Sequence, residues 1–149
     1  MMIEVDDTTI YSAANIHAEA WRDSHAAFCP EEFVALHTTE RQMKYLQDEM
    51  DKGKRLYMLV ADKPVGIVSV KDDLIENLYV LPSEQRKGYG TRLLDFALSQ
   101  CSAAPRLWIL DNNHGAYALY YKFGFRLTGE KHQLSPTLAE LEMKLADRG

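Results

Sequence analysis

The sequence predicts an α/β (α+β) chain in one domain, built on a mixed, mostly antiparallel sheet with helices on both faces. Three observations carry this reading. Apolar residues recur at helical spacing near the start, three apolar runs follow one another between Leu56 and Val80, and beyond Gly88 helical and strand-like segments alternate. A length of 149 residues suits one hydrophobic core and is short for two. With no repeat, low-complexity tract or linker, a single domain is expected over residues 1–149.

Residues 2 to 5 read as a short strand. Asp6 and Asp7 are placed to cap a helix in which Ile10, Ala13, Ala14, His17 and Trp21 fall at i, i+3, i+4, i+7 and i+11. Pro30 starts a second helical region, broken near Thr38-Thr39 and running to about Lys52, where Gly53 stops it. Leu56 to Ala61 is then a continuous apolar run. Asp62-Lys63-Pro64 turns into Val65 to Val70, and Lys71-Asp72-Asp73 turns into Leu74 to Val80. Successive strands with connections this short pair as an antiparallel meander.

From Gly88 the pattern is helical, with Leu93, Leu94, Ala97, Leu98 and Cys101 on one face. Pro105 introduces a strand, Arg106 to Leu110. A short helix follows with Ala116, Leu119, Tyr120 and Phe123 on its buried side, and Gly124 ends it. Phe125 to Thr128 extends again, Glu130 to Thr137 reads as a loop, and Leu138 to Leu145 alternates like a last strand. The expected order is therefore βααβββαβαββ.

Composition narrows the function. Apolar residues at 46% and charged residues at 26% are the balance of a soluble globular protein. The net charge of −5 is scattered, whereas a nucleic-acid partner calls for a concentrated Lys/Arg surface. The acidic start, Met1 to Asp7, lacks the basic residues of a secretory leader, and no run reaches the roughly 20 apolar residues that span a bilayer. Cys29 and Cys101 lie far apart and outside any metal-ligand spacing. A reduced, cytoplasmic protein with no metal, no membrane and no nucleic acid is the expectation.

The sharpest feature is the stretch Leu78-Tyr79-Val80-Leu81-Pro82-Ser83-Glu84-Gln85-Arg86-Lys87-Gly88-Tyr89-Gly90-Thr91. A strand feeds a loop, and two glycines one residue apart open a helix. Without a Cβ the backbone there can approach a ligand closely, and the free N–H groups of a helix start suit a pyrophosphate. Arg86, Lys87 and Arg92 add positive charge to an otherwise acidic chain. Two nucleotide-binding patterns compete for this loop. A dinucleotide-binding fingerprint puts its third small residue at Leu93, and seven residues separate Val80 from Gly88 where a tight turn is needed. A Walker pattern fails because no Gly-Lys-Ser/Thr follows at its spacing.

Gln85-x-x-Gly88-x-Gly90 after a strand ending Leu-Tyr-Val-x-Pro resembles the acetyl-CoA pyrophosphate loop of the GNAT N-acetyltransferase superfamily. A second block agrees independently: Asn113-x-x-Ala116-x-x-Leu119-Tyr120-x-Lys122-x-Gly124-Phe125 resembles the family's later helix-to-strand segment, with Leu107-Trp108-Ile109-Leu110 ahead of it. The resemblance is strong from about residue 56 to 128, and the chain looks like a small single-domain member of bacterial type. It implies the GNAT acyltransferase fold, splayed between the strands at Leu74 to Val80 and Arg106 to Leu110, with acetyl-CoA in the opening.

The resemblance also implies roles. Backbone amides of Arg86, Lys87, Gly88, Gly90 and Thr91, with Gln85 beside them, would hold the pyrophosphate. Leu78, Tyr79 and Val80 would pair through their backbone with the pantetheine arm, and an N–H near Val80 would stabilise the oxyanion. Asn113 and Ala116 match positions along the pantetheine, and Lys122 would lie near the coenzyme or, equally, stand as an exposed helix lysine. Tyr120 matches the tyrosine that protonates the departing thiolate, a role that suits a buried ring with a free hydroxyl. Tyr121, on the other side of the helix, is excluded.

The general base is less defined. Glu76 is the candidate, expected on the same strand face as Leu74, Leu78 and Val80 and so partly shielded from water. Many relatives carry a glutamate two residues earlier, where this chain has Leu74. His17 reads as a packed core residue. His25, Trp21, Phe28 and Tyr11 are possible walls of the acceptor cleft. Neither cysteine has a base beside it, so the amine should attack the thioester directly in a ternary complex.

The function expected is therefore transfer of an acetyl group from acetyl-CoA to a primary amine, of a small molecule or of a protein. The alternatives are a non-catalytic acyl-CoA-binding or regulatory domain on the same fold and a dinucleotide-binding oxidoreductase. A homodimer is possible, and the acidic balance favours a cationic acceptor.

Overall fold

A computed structural model describes residues 1–146; the last three residues of the expected domain lie outside the described residues. The chain runs β1 (Met2–Glu4), α1 (Ile10–His25), α2 (Glu31–Ala35), α3 (Thr39–Asp51), β2 (Arg55–Val60), β3 (Pro64–Lys71) and β4 (Leu74–Val80). After a 3-10 turn at Pro82–Glu84 come α4 (Tyr89–Ser99), β5 (Arg106–Leu110), α5 (His114–Lys122), β6 (Phe125–Ser135) and β7 (Leu138–Leu145). The break foreseen near Thr38-Thr39 is real: the first segment ends at Ala35, and Thr38 caps the next, its hydroxyl accepting the Arg41 N–H at 3.2 Å.

The seven strands form one sheet in the order β1-β2-β3-β4-β5-β7-β6. Every pairing is antiparallel except β4 with β5. That parallel pair touches at one register position, Leu74 against Arg106, and then diverges. The two faces carry separate cores. Ile10, Ala13, Ala14 and Ile16 of α1 and Leu46 of α3 pack on Leu56, Met58 and Ile67. Leu93, Leu94 and Ala97 of α4 and Tyr120 of α5 pack on the other face against Val68, Val70, Ile75 and Leu107. Helices thus cover both faces, as expected, and this places the divergence of β4 and β5 between the two helix layers. Among the described residues no helix is long and apolar enough to cross a membrane.

Three local expectations change. Thr9, rather than Asp6 or Asp7, stands at the start of α1; Asp6 instead closes the preceding turn by accepting from the Thr8 N–H at 2.9 Å and the Thr8 hydroxyl at 2.6 Å. Cys101 follows the end of α4 rather than riding on it, with its thiol directed at the Ala97 carbonyl at 3.4 Å. The loop expected over Glu130 to Thr137 is strand as far as Ser135, paired with β7 through His132↔Glu140 and Gln133↔Ala139. Both faces of that stretch are exposed, so its sequence shows no alternation, and the ladder shifts register around Gly129, whose φ is +98°.

Gly66 sets how closely α4 approaches the sheet. A Cβ there would stand 2.6 Å from Leu93 Cδ1 and 3.0 Å from the Tyr79 carbonyl oxygen. The absence of a side chain therefore lets the helix that starts at the glycine loop lie directly on β3 and β4.

Candidate functional site

The loop from Gln85 to Thr91 is shaped by its backbone conformation. Arg86 has φ +67° and Gly88, at the start of α4, has φ +84°. This turns successive amides the same way. Those of Arg86 through Thr91 donate to no partner among the described residues, while Arg92 is the first to bond back, to the Gly88 carbonyl at 3.2 Å. A Cβ on Gly90 would meet only Leu119 Cδ2, at 3.9 Å, so the glycine faces an open cleft. The cleft is about 400 Å³ and is bounded by Leu78, Val80, Gln85, Gly88, Ala116 and Tyr120, among others. The six unbonded amides and the helix start are the donor set a pyrophosphate requires.

The charges around the loop are sorted by pairing. Lys87 is bound to Glu84 at 2.7 Å and Lys63 reaches the same carboxylate at 3.5 Å. The Lys87 hydrogen bond holds the Glu84 carboxyl below its ordinary range. Arg86 and Arg92 have no carboxylate partner among the described residues and supply the free positive charge. Gln85 spans the loop base, its amide donating to the Val80 carbonyl at 3.3 Å.

The opening between β4 and β5 forms a second cavity of about 450 Å³, which shares Leu78, Ala116 and Tyr120 with the lining of the first. Leu81 donates its N–H to Val65 on β3 at 2.9 Å. Strand alternation then turns the Val80 N–H the other way, towards the opening left by β5. Asn113 caps α5 through its side-chain oxygen, which accepts the Ala116 N–H at 3.0 Å, so its amide N–H₂ is left for the cavity it lines.

Tyr120 is 8% exposed yet lines both cavities. Its hydroxyl makes no hydrogen bond to the described residues and is not sealed from the cleft. Burial, with a smaller contribution from Tyr79, pushes its pKa upward, so the group keeps its proton. Tyr121 is surface-facing under the Arg126 guanidinium, 3.7 Å from its ring centre.

One expected relationship is overturned. Asn77 has φ +52°, and the β3–β4 register skips a residue between Ser69↔Glu76 and Ile67↔Tyr79. This bulge shifts the alternation, so Glu76 shares its face with Tyr79 while Leu78 and Val80 turn to the opposite core. Glu76 still lines the central cavity, but beside it sits the buried Lys54, 3.2 Å from the carboxylate. Lys54 and the Ser69 hydroxyl also donate to Asn77 Oδ1, at 3.1 Å and 2.8 Å. The bulge is thus pinned by its own side chain. An asparagine inside an apolar strand was the available signal, since Asn tolerates left-handed backbone.

Sequence reasoning also left the first helix underused. His25 lines the central cavity, its ring stacked on Trp21 with centres 3.8 Å apart. Its Nδ1 donates to the Trp21 carbonyl at 2.8 Å, which leaves Nε2 as the lone-pair nitrogen of the neutral ring. Desolvation lowers the His25 pKa against that carbonyl's opposing effect. Phe28 lines the same cavity and Trp21 a neighbouring one, whereas Tyr11 is 56% exposed and lines neither. Lys122 is exposed and lies off all three cavities, and Lys87 and Thr91 line none of them either. Neither cysteine lines them.

Known proteins share this fold. A family model described as the acetyltransferase (GNAT) family matches residues 14–125. No curated protein matches the sequence. Among solved structures, a GNAT-family acetyltransferase from Bacillus cereus superposes with a TM-score of 0.75 at 15% identity, covering 99% of this chain and 96% of that one. The putative acetyltransferase yncA from Salmonella typhimurium, solved with its cofactor acetyl-CoA, gives 0.72 at 19% identity, covering 100% and 95%. The paia N-acetyltransferase of Thermoplasma acidophilum, solved in complex with coenzyme A, gives 0.69 at 17% identity, covering 97% and 98%. With most of its length matched by the family model and its fold shared by these structures, the chain belongs to the acetyltransferase (GNAT) family.

Proposed function

We propose that the protein transfers the acetyl group of acetyl-CoA to a primary amine by direct attack in a ternary complex. The observation that carries this reading is the unbonded hydroxyl of Tyr120, a residue that lines both the cleft at the glycine loop and the cavity between β4 and β5. Family membership and the coenzyme-bound relatives support the donor.

Acetyl-CoA fits the residues present. The amides of Arg86 to Thr91 would take its pyrophosphate, Arg86 and Arg92 would add charge, and the β4 edge at Leu78, Tyr79 and Val80 would run along the pantetheine with Asn113 and Ala116 opposite. The amine nitrogen bonds to the thioester carbonyl carbon and the C–S bond breaks. The Val80 N–H faces the carbonyl oxygen as charge develops on it. Tyr120 gives its proton to the departing sulfur, and a raised pKa keeps that proton available.

The attacking nitrogen must first lose a proton. Glu76 and His25 both line the cavity where it would sit. Glu76 is engaged by Lys54, whereas His25 presents a fixed, neutral Nε2. These contacts favour His25 as the base, with Glu76 holding the ammonium before it is deprotonated. The lack of a cysteine on any of the cavities supports direct attack over an acyl-enzyme.

Calorimetric titration of acetyl-CoA tests the reading first. Saturable binding that Gly90→Glu abolishes in a folded sample supports it, because that carboxylate enters the anion cleft without a Cβ clash. A folded wild type that does not bind acetyl-CoA defeats it. Binding with no transfer to any of a broad set of amines would leave the non-catalytic, acyl-CoA-binding alternative.

A further inference from the structure

A third cavity, about 290 Å³, opens between α1, α3 and β4 and joins the central cavity through Asn77 and Tyr79, which line both. No carboxylate lines it. It brings together donors on Arg41, Gln42, Asn77 and His17, beside the Tyr45 and Tyr79 hydroxyls, which donate or accept. Arg41 has no carboxylate partner among the described residues. Gln42 is 5% exposed, and its amide makes no hydrogen bond to the described residues. Asn77 has its oxygen filled by Lys54 and Ser69, so its N–H₂ is what remains.

His17 adds a further unmet group. It is 4% exposed, its Nδ1 is sealed and has no partner, and Nε2 is the ring nitrogen with access to the cavity. A sealed acceptor is more readily tolerated than a sealed N–H, so the ring proton belongs on Nε2, facing the cavity. His37 supplies an acceptor here, since its Nδ1 donates to the Phe33 carbonyl at 3.1 Å and its Nε2 has no partner among the described residues. A buried donor without a partner, as on Gln42, is costly, and the exposed Arg41 guanidinium on the same cavity as the Gln42 amide and the His17 ring makes the kind of set that binds a carboxylate.

We propose that this cavity takes the carboxylate of the acceptor, which makes the acceptor class amino acids, amines that carry a carboxylate. The inference rests on the acetyl-transfer reading. The carboxylate sits at Arg41, Gln42 and His17, the flat walls of Trp21 and Tyr45 cover the body, and the amine emerges at Asn77 and Tyr79 beside the thioester. This reverses the expectation of a cationic acceptor drawn from net charge, because the local lining decides binding while the distant acidic residues are screened.

The test compares matched amines that differ by the carboxylate: phenylalanine with phenethylamine, lysine with cadaverine, and glycine with methylamine. Coenzyme A release is followed with acetyl-CoA saturating, and binding of each amine to the coenzyme A complex is read by calorimetry. The expected result is a kcat/KM at least tenfold higher for one or more carboxylated partners. Arg41→Met should collapse that ratio at least tenfold, and Arg41→Lys should retain part of it. Acetylation of both members at equal rates, or preference for the decarboxylated one, overturns this inference and leaves acetyl transfer standing. Arg41-dependent binding of amino acids without transfer upholds the ligand class while the transfer reading falls. Absence of both binding and transfer overturns the two together.

Discussion

The Lys54 ammonium lies 3.2 Å from the Glu76 carboxylate and 3.1 Å from Asn77 Oδ1, so one buried cation holds both residues that shape the middle of β4. Its side chain is 3% exposed, and Glu49 approaches from the other side at 3.7 Å. Replacing it by Met removes the cation but keeps the volume. Two carboxylates then face each other without it, and the asparagine at the bulge loses a donor. We expect Lys54→Met to cost about 1–3 kcal/mol, because Glu76 and Glu49 keep partial access to water. Urea unfolding measures this, and an unchanged midpoint would show that Ser69 alone secures the bulge.

With His25 as the proposed base, the pH profile should carry an acid limb from its ring. Desolvation lowers its pKa from the ordinary 6.5, with the His37 ring adding in the same direction and the Trp21 carbonyl opposing. The base must be neutral, so kcat should rise with pH through a value below 6.5 and be flat by neutrality. His25→Gln is expected to lower the plateau by about 10²–10⁴-fold and to erase that limb. A profile that keeps its acid limb in His25→Gln and loses it in Glu76→Gln would move the base to the carboxylate.

Tyr120→Phe separates chemistry from binding. The ring packs against Phe125, with centres 6.0 Å apart, and phenylalanine preserves that packing. Turnover is expected to fall about 10²-fold, while acetyl-CoA affinity by calorimetry and the melting temperature stay close to wild type. Equal turnover in the two proteins would remove the hydroxyl from the proton path.

Much of this was legible beforehand, and the part that was not has a common cause. Gly88 and Gly90, Asn113 and Tyr120 lie in two short continuous segments, so the motifs that carry the family resemblance reach all four. Glu76 was placed on the wrong face because strict alternation was assumed through Asn77, and a single left-handed residue reverses everything after it. The acceptor cavity was out of reach. His17, Arg41 and Asn77 come from three elements, and only the packing of α1 on α3 and β4 brings them to one cavity. The far half of β6 was missed because it buries almost nothing and leaves no pattern to read.

Gly66 tests whether the approach of α4 to the sheet sets the coenzyme loop. Leu93 is fully buried, so its Cδ1 cannot swing away from a new methyl group, and the Tyr79 carbonyl is fixed in the β3–β4 ladder. Gly66→Ala is expected to cost about 1–3 kcal/mol through overpacking. The strain falls on α4, whose first turn carries the unbonded amides, and on β4 beside the thioester. Acetyl-CoA binding should therefore weaken severalfold in the folded variant. Stability loss with unchanged affinity would show that the loop amides keep their geometry independently of how closely the helix lies on the sheet.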